Sequence, residues 1–317
     1  MTVPTNTYQT YQTVGIREDL IDLVYSVDPT STPLLSMAGK AKATQTKHEW
    51  QDQALAAANT GNAQIEGDDA TADAQTPTTR LNNQTQISRK VVQVSGTDQA
   101  VKAAGQKNIL GWRLLNAAKE LKRDMEAILG ANQAINVGSA SVARTLGAFD
   151  AWLATNTVIL GTGGANGGSG TTARTDGSPT VAVTEANVKT VLADIYKSTT
   201  RSPDYCILSP ANKQLFSSFT GNVTRFVDVE GNDAKLVTAY EIYVSDFGDV
   251  KIVPDVFTRG RDIFFINSEY YKIAYLRPFE TIALSKTGDS DRKALYAEYT
   301  LEMSAEKAHG GIFDTTG

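Results

Sequence analysis

The sequence predicts an α+β fold, and three observations carry that expectation. One long amphipathic helix stands by itself between residues 106 and 131. A helix–strand–helix unit follows between residues 185 and 217. From residue 240 to residue 304 the pattern turns to strands. Helices and strands gathered in blocks call for a core built from both. At 317 residues, the chain has the length of about two domains.

The first 40 residues read as an arm. Positions 2–13 are rich in Thr, Gln and Tyr and offer almost nothing to a core. A short amphipathic segment, 17–25, places Leu20, Ile21, Leu23 and Val24 beside the preceding Ile16, and Pro29 and Pro33 then break it. Residues 46–55 and 87–95 read as extended, the second through Val91, Val92 and Val94. Between them, residues 56–86 hold only Ile65 and Leu81 as large aliphatics. The same stretch carries Glu66, Asp68, Asp69 and Asp73 against Arg80 alone. A loop longer than about 15 residues is uncommon in a compact domain. Its flanking strands therefore make it a protruding hairpin, and a protrusion without a core needs a partner surface.

The long helix follows. Leu110, Leu114, Ala117, Ala118, Leu121, Met125 and Ile128 recur at steps of three and four and form one apolar stripe. Gly130 supplies its stop. The next region opens with a glycine run, 161–170, which reads as a flexible surface loop. A helix over 185–199 is capped by Thr184, with Val188, Val191, Leu192, Ile195 and Tyr196 as its stripe. A buried strand, 205–208, leads to Ser209-Pro210, a cap followed by proline at the first helical position. Strands at 241–244 and 250–253 form a hairpin around Asp246–Asp249. Strands at 262–266 and 271–276 pair around Asn267-Ser268, and strands at 281–285 and 292–304 follow. In the last, Leu295, Ala297, Tyr299, Leu301 and Met303 share one face.

Composition narrows the chemistry. Thirty basic and 35 acidic side chains give a net charge of −5, which gives no reason to expect bulk attraction to nucleic acid. Cys206 is the single cysteine, so an internal disulfide is impossible, and it reads as a core residue inside an apolar strand. The two histidines, His48 and His309, lie in no ligand-spaced motif, and no Gly-x-Ser-x-Gly elbow supports a hydrolytic triad. The glycine run lacks the Gly-Lys-Ser/Thr ending of a phosphate loop. The acidic stretch 66–73 lacks calcium-loop spacing. Lys119, Lys122 and Arg123 read as a helix's solvent face, with a subunit interface as the sharper use. No signal peptide and no membrane-length apolar run are seen. The expectation is a non-enzyme with no catalytic, cofactor-binding or metal residues and no cofactor.

The order of elements is polar arm, acidic-tipped hairpin, long helix, mixed region, closing strands. Together with the strings KHEWQDQAL, NILGWRLLNAAKELKRDMEAILG, DYCILSPANKQLF, FFINSEYYKIAYLRPFE and YTLEMSAEKAHGGI, that order resembles the major capsid proteins of tailed bacteriophages. The resemblance implies the Johnson-type capsid fold. Its N-terminal arm would be 1–40, its extended loop 41–95, and its peripheral domain with spine helix 96–137. The axial domain would be 138–277, and 278–317 would return strands to the peripheral domain and end the chain. It further implies a head protein that self-assembles through hexamers and pentamers into an icosahedral or prolate shell around double-stranded DNA. Scaffolding, portal and decoration proteins would be possible partners, packaged DNA would be contacted non-specifically, and no membrane would be involved. Residence would be the virion, after assembly in the host cytoplasm. The long N-terminal scaffolding segment of some relatives is missing, so scaffolding would be a separate protein or the chain a processed form. Some relatives cross-link a loop lysine to a neighbour's asparagine, but residues 56–79 contain no lysine. The nearest are Lys40, Lys42, Lys47 and Lys90, so a shell without covalent links is expected. An encapsulin-like cargo compartment is the nearest alternative, a hydrolase using a histidine the remote one, and a monomeric surface adhesin a third.

Overall fold

A computed structural model describes residues 28–67, 69, 72–101, 108–219 and 242–317. In chain order the elements are α1 (Pro33–Met37), β1 (Gly39–Lys42), β2 (Lys47–Asp52), β3 (Thr79–Gln84), β4 (Gln86–Ser95), α2 (Gly96–Ala100), α3 (Ile109–Leu129), α4 (Phe149–Trp152), β5 (Thr157–Ile159), α5 (Glu185–Thr199), β6 (Tyr205–Leu208), α6 (Pro210–Ser217), β7 (Ile242–Ser245), β8 (Gly248–Pro254), β9 (Asp262–Ile266), β10 (Tyr271–Leu284), β11 (Ser290–Met303) and β12 (Gly310–Phe313). A single 3₁₀ turn, Glu306–Ala308, precedes β12.

Three sheets result: β1-β10-β11-β4, β5-β12-β9-β6-β8-β7, and the two-stranded β2-β3. The spine helix α3 lies on the four-stranded sheet. Asn108 caps it by accepting from the Gly111 amide at 2.9 Å, and Gly130 ends it. Its 21 residues span about 32 Å. Leu121, Met125 and Leu129 are fully buried and meet Leu295, Ala297, Tyr299, Leu301 and Met303 of β11 in one core. That core continues through Phe149, Trp152, Phe264 and Phe313, so the two larger sheets share it at their junction. A second core lies between α5 and the six-stranded sheet, with Val188, Val191, Leu192 and Ile195 each at most 1% exposed. Thr184 and Ser209 cap α5 and α6 as their sequences imply. Tyr196, expected on the α5 stripe, is 39% exposed and stacks on Phe247 instead.

Three expectations change. The hairpin closes on β3, not on β4: Lys47 pairs with Gln84 and Asp52 with Thr79. Residues 79–84 read as loop because their inward side chains are polar, Asn83 and Gln84, both buried. β4 runs beside β11 instead. Strands β9 and β10 do not pair with one another; β9 sits between β12 and β6, and β10 between β1 and β11. The turn at 267–270 carries the chain from one sheet to the other. The glycine run is not a flexible surface loop, since Gly161 and Gly170 are buried and the stretch folds back through bridges at Ala165–Thr175 and Gly168–Thr172. The closing segment runs through β11 in the four-stranded sheet and then adds β12 to the six-stranded one, between β5 and β9. The amphipathic segment 17–25 lies outside the described residues, as do the first two positions of the expected long helix.

Candidate assembly surface

The hairpin β2–β3 projects from a base that is locked to the core. Trp50 packs on Trp152 with ring centroids 5.3 Å apart, and His48 Nε2 meets Glu302 Oε2 at 2.9 Å. The His48 hydrogen bond holds the Glu302 carboxyl below the usual carboxylate range against the opposing effect of burial. On the return strand, the buried Asn83 amide donates to the carbonyls of Gly147 and Leu301 at 3.0 and 2.7 Å and accepts from the Gly147 amide at 2.8 Å. Thr85 then donates to Glu298 at 2.9 Å, and Arg144 and Arg277 converge on the same carboxylate. Directional bonds of this kind fix an angle as well as an attachment.

Beyond that base the loop has no core. Described residues from 53 to 78 are exposed, and Leu55 and Ile65 are 93% and 79% in solvent. Ordering such a chain costs about 1–2 kcal/mol per residue for the backbone alone. Two solvated aliphatics offset none of it within one subunit. Glu66, Asp69 and Asp73 give the tip an acidic character, and no group of three or more potential metal-binding side chains forms among the described residues.

The four-stranded sheet offers the complementary kind of surface. Its face away from α3 shows Ile87, Val91 and Ile282, each 37–46% exposed. A groove of about 400 Å³ runs between β4 and α3, lined by Lys90, Val92, Trp112, Arg113 and Asn116. Lys119 and Lys122 stand exposed on α3, and the guanidinium of Arg123 lies over Phe257 at 5.2 Å. Lys90 is engaged by Asp124 at 2.8 Å and Lys47 by Glu49 at 2.6 Å, while Lys40 lies on β1, away from the hairpin tip.

The arm joins this unit through a buried carboxylate. Glu126 of α3 accepts from the amides of Leu34 and Leu35 at 2.6 and 2.8 Å, and Tyr271 donates to the Leu34 carbonyl at 3.1 Å. Burial pushes the Glu126 carboxyl up to about 8, although the two amides favour its ionised form. The periodicity of α3 gave no hint of this residue, since a glutamate next to the stripe reads as solvent-facing.

The remaining candidate groups have no catalytic geometry. Cys206 is buried at 1% exposure and its thiol is pushed up by burial. His309 is fully buried; its Nδ1 accepts from the Asn267 amide at 3.3 Å, Nε2 meets no partner, and burial lowers it to about 4. Ser304 donates to Glu302 and not to His48, so the nearby histidine, carboxylate and hydroxyl do not form a relay. A feature the sequence reading missed is a cluster of Asp150, Arg174, Asp176, Arg259, Arg261, Asp262 and Asp314 in the six-stranded half. These residues are scattered over 165 positions of sequence, and only the alternation of Arg and Asp around 174–176 and 259–262 could have marked them.

The model of the SU10 major capsid protein family matches residues 3–316. The major capsid protein of Escherichia phage Phieco32 is 26% identical, over 98% of this chain and 97% of that protein. Among solved structures, the capsid asymmetric unit of cyanophage A-1(L) superposes with a TM-score of 0.65 at 12% identity, covering 98% of this chain and 99% of that one. The capsid of cyanophage P-SCSP1u gives 0.57 at 10% identity, covering 98% and 96%.

Proposed function

The chain belongs to the SU10 major capsid protein family, and from that premise we propose that the hairpin β2–β3 and its tip are the device by which one subunit grips the next. The subunit is a phage major capsid protein, a structural component of the virion shell that works by association with copies of itself. The observation that carries the grip is the contrast along one hairpin: a base tied by Trp50, His48 and Asn83, and a tip with Leu55 and Ile65 in solvent. A loop aimed rigidly from its base and unsupported at its end becomes ordered when a neighbour covers it.

In this reading the arm spans 1–40, the extended loop 41–95, the peripheral unit with its spine helix 96–137 and the axial unit 138–277, and 278–317 returns strands to the peripheral unit and ends in the C-terminal segment. Copies join as hexamers and pentamers, with many weak contacts per subunit summing to a stable shell. Assembly takes place in the host cytoplasm, with scaffolding, portal and decoration proteins as partners and DNA touched non-specifically. The subunit performs no catalysis and carries no cofactor. The shell also has no covalent links, because the lysines nearest the loop lie at its base or are held in ion pairs.

Hydrogen exchange on free and assembled protein tests the grip directly. Protection of residues 53–78 should rise sharply on assembly, and equal protection in both states would overturn it. Boiling shells in detergent should leave one band at 34.0 kDa; a ladder of multiples surviving reduction would show that a base lysine does reach a neighbour.

A further inference from the structure

Four carboxyl and three guanidinium groups meet where the glycine loop, the head of β9 and the chain end come together. Arg174 reaches Asp262 at 2.7 Å, Asp176 at 2.9 Å and Asp314 at 3.0 Å. Arg259 reaches Asp150 at 2.9 Å and Asp262 at 3.3 Å and also holds Asp176. Arg261 reaches Asp314 at 2.6 Å and Asp176 at 3.3 Å. The side chains of Arg174, Asp150, Asp262 and Asp314 have no exposure. With every group ionised the cluster carries one net negative charge, and Asp176, Arg259 and Arg261 are its members that reach solvent.

The geometry locates the imbalance. Asp150 Oδ1 and Asp262 Oδ2 are buried and accept no hydrogen bond; the basic atom near Asp262 Oδ2, Arg259 Nη1 at 3.3 Å, is the nitrogen that already bonds Asp150 at 2.9 Å. The two carboxyls thus press on one guanidinium nitrogen, each with an oxygen left unmet, and form a close buried pair. An ionised carboxylate only accepts, so such a pair needs a proton on one member. We infer that the folded subunit keeps one proton between Asp150 and Asp262, and that its loss loosens the glycine loop and the chain segment after β12. Both segments hang on this cluster. Arg174 and Asp176 belong to the loop, and Asp314 accepts from the Gly177 amide at 3.0 Å while Arg174 covers the Phe313 ring at 4.4 Å. Burial, and then the neighbouring Asp150 charge, push Asp262 up to about 8.

An acid whose folded value is raised contributes stability that falls as pH rises from its unfolded value to its folded one. Below about pH 6.5 the buried His309 acts in the opposite direction, so the window lies between about 6.5 and 8; Glu126, also raised to about 8, adds its own slope only to openings that expose α3. Hydrogen exchange at 175–177 and 310–316, corrected for intrinsic rate, reads the opening. In the intact subunit the opening constant should rise roughly tenfold per pH unit in that window and level off above it. Asp262→Asn, which replaces the protonated carboxyl by a neutral amide, should make it flat, and Asp150→Asn should do the same if the first variant folds poorly. Asp176→Asn, on the partly exposed member, should keep the slope. A flat wild-type response, or the same slope in both buried-site variants, would overturn the shared proton. An infrared difference between the parent and either buried-site variant at neutral pH, in which one carboxylic-acid carbonyl band is lost beside that of Glu126, gives a second reading; no lost band in either difference would equally overturn it. Neither measurement depends on assembly, so both stand or fall separately from the grip of the hairpin.

Discussion

Residues 53–78 and residues 161–177 start from the same shortage of large apolar side chains and end in opposite states. The first stretch is exposed throughout its described length. The second is anchored by four buried residues, Gly161, Gly170, Arg174 and Gly177, although it contains no large aliphatic or aromatic residue at all. Its order comes from two other sources. Glycines let backbone approach backbone: a Cβ on Gly177 would lie 2.5 Å from the Gly161 carbonyl oxygen, and one on Gly170 would lie 2.7 Å from the Trp152 indole. Arg174 and the carboxylates around it then make the loop part of a buried ionic network. Chain without apolar residues is therefore not free chain by default. It is free when its polar groups have only water to meet.

Removing Arg174 should break that contrast most completely. Arg174→Met keeps much of the volume but leaves Asp262 and Asp314 buried with a partner lost. Breaking a buried pair from one side costs about 3–5 kcal/mol. The matching change in the hairpin, Arg80→Met, removes a guanidinium that is 67% exposed and should cost less than about 1 kcal/mol. Chemical denaturation of the two variants against the parent gives both numbers. Near-equal effects would mean that the glycine loop is held by its glycines alone.

Acid should separate the same two regions. His309 lies just before β12, has its value lowered by burial to about 4, and favours the folded state when neutral. Its contribution is complete above about pH 6.5 and is lost as pH falls towards 4, a total of about 3 kcal/mol by linkage. Segment 309–316 should then lose exchange protection on acidification while the hairpin base, held by Asn83, changes less. His309→Gln should remove the acid-specific part of that loss. An unchanged acid profile in this variant would place the sensitive group elsewhere.

Steric room is the third handle. Gly170 has φ +73° and lies under Trp152, so Gly170→Ala meets both strain and overlap, at about 2–3 kcal/mol. Gly61→Ala, near the hairpin tip, meets nothing closer than the Asn59 side chain at 3.4 Å. It should be neutral or slightly stabilising through the unfolded chain. Thermal melts of the pair are sufficient, and a neutral Gly170→Ala would show that the indole can move aside.

These effects also explain what the sequence could and could not say. Periodicity found α3 and α5 because Leu121, Met125, Val188 and Leu192 carry the burial themselves. Capping found the starts of α5 and α6 because Thr184 and Ser209 act on amides three residues away. β3 was not legible, since Asn83 and Gln84 face inward as polar groups whose partners, Gly147 and Leu301, are distant in sequence. The pairing of β9 with β12 was missed for the same reason: a tight turn suggests a hairpin, whereas the shared core with Phe313 decides otherwise. The hairpin tip was the most legible part of the candidate surface, because the absence of core residues is a local property. Glu126 and the Arg174 cluster were the least, because a buried charge is recognised by its partners and not by its neighbours in sequence.

The smallest effect on the subunit should accompany the largest effect on the shell. Leu55 and Ile65 are 93% and 79% exposed, so changing both to Ser removes nothing from the subunit's own core and should leave its stability within about 0.5 kcal/mol. If a neighbour covers them, each buried side chain contributes about 1.5–3 kcal/mol to the contact. Losing even one such contribution raises the concentration needed for association roughly tenfold or more. The same loss recurs at every copy in a closed shell, so the assembly threshold should move much further than any melting curve. Light scattering during assembly, run beside denaturation of the free subunit, separates the two quantities. A double variant that assembles at the parental threshold would show that these two side chains stay in solvent in the shell. The grip would then have to come from the hairpin's polar backbone or from the exposed sheet face around Val91 and Ile282.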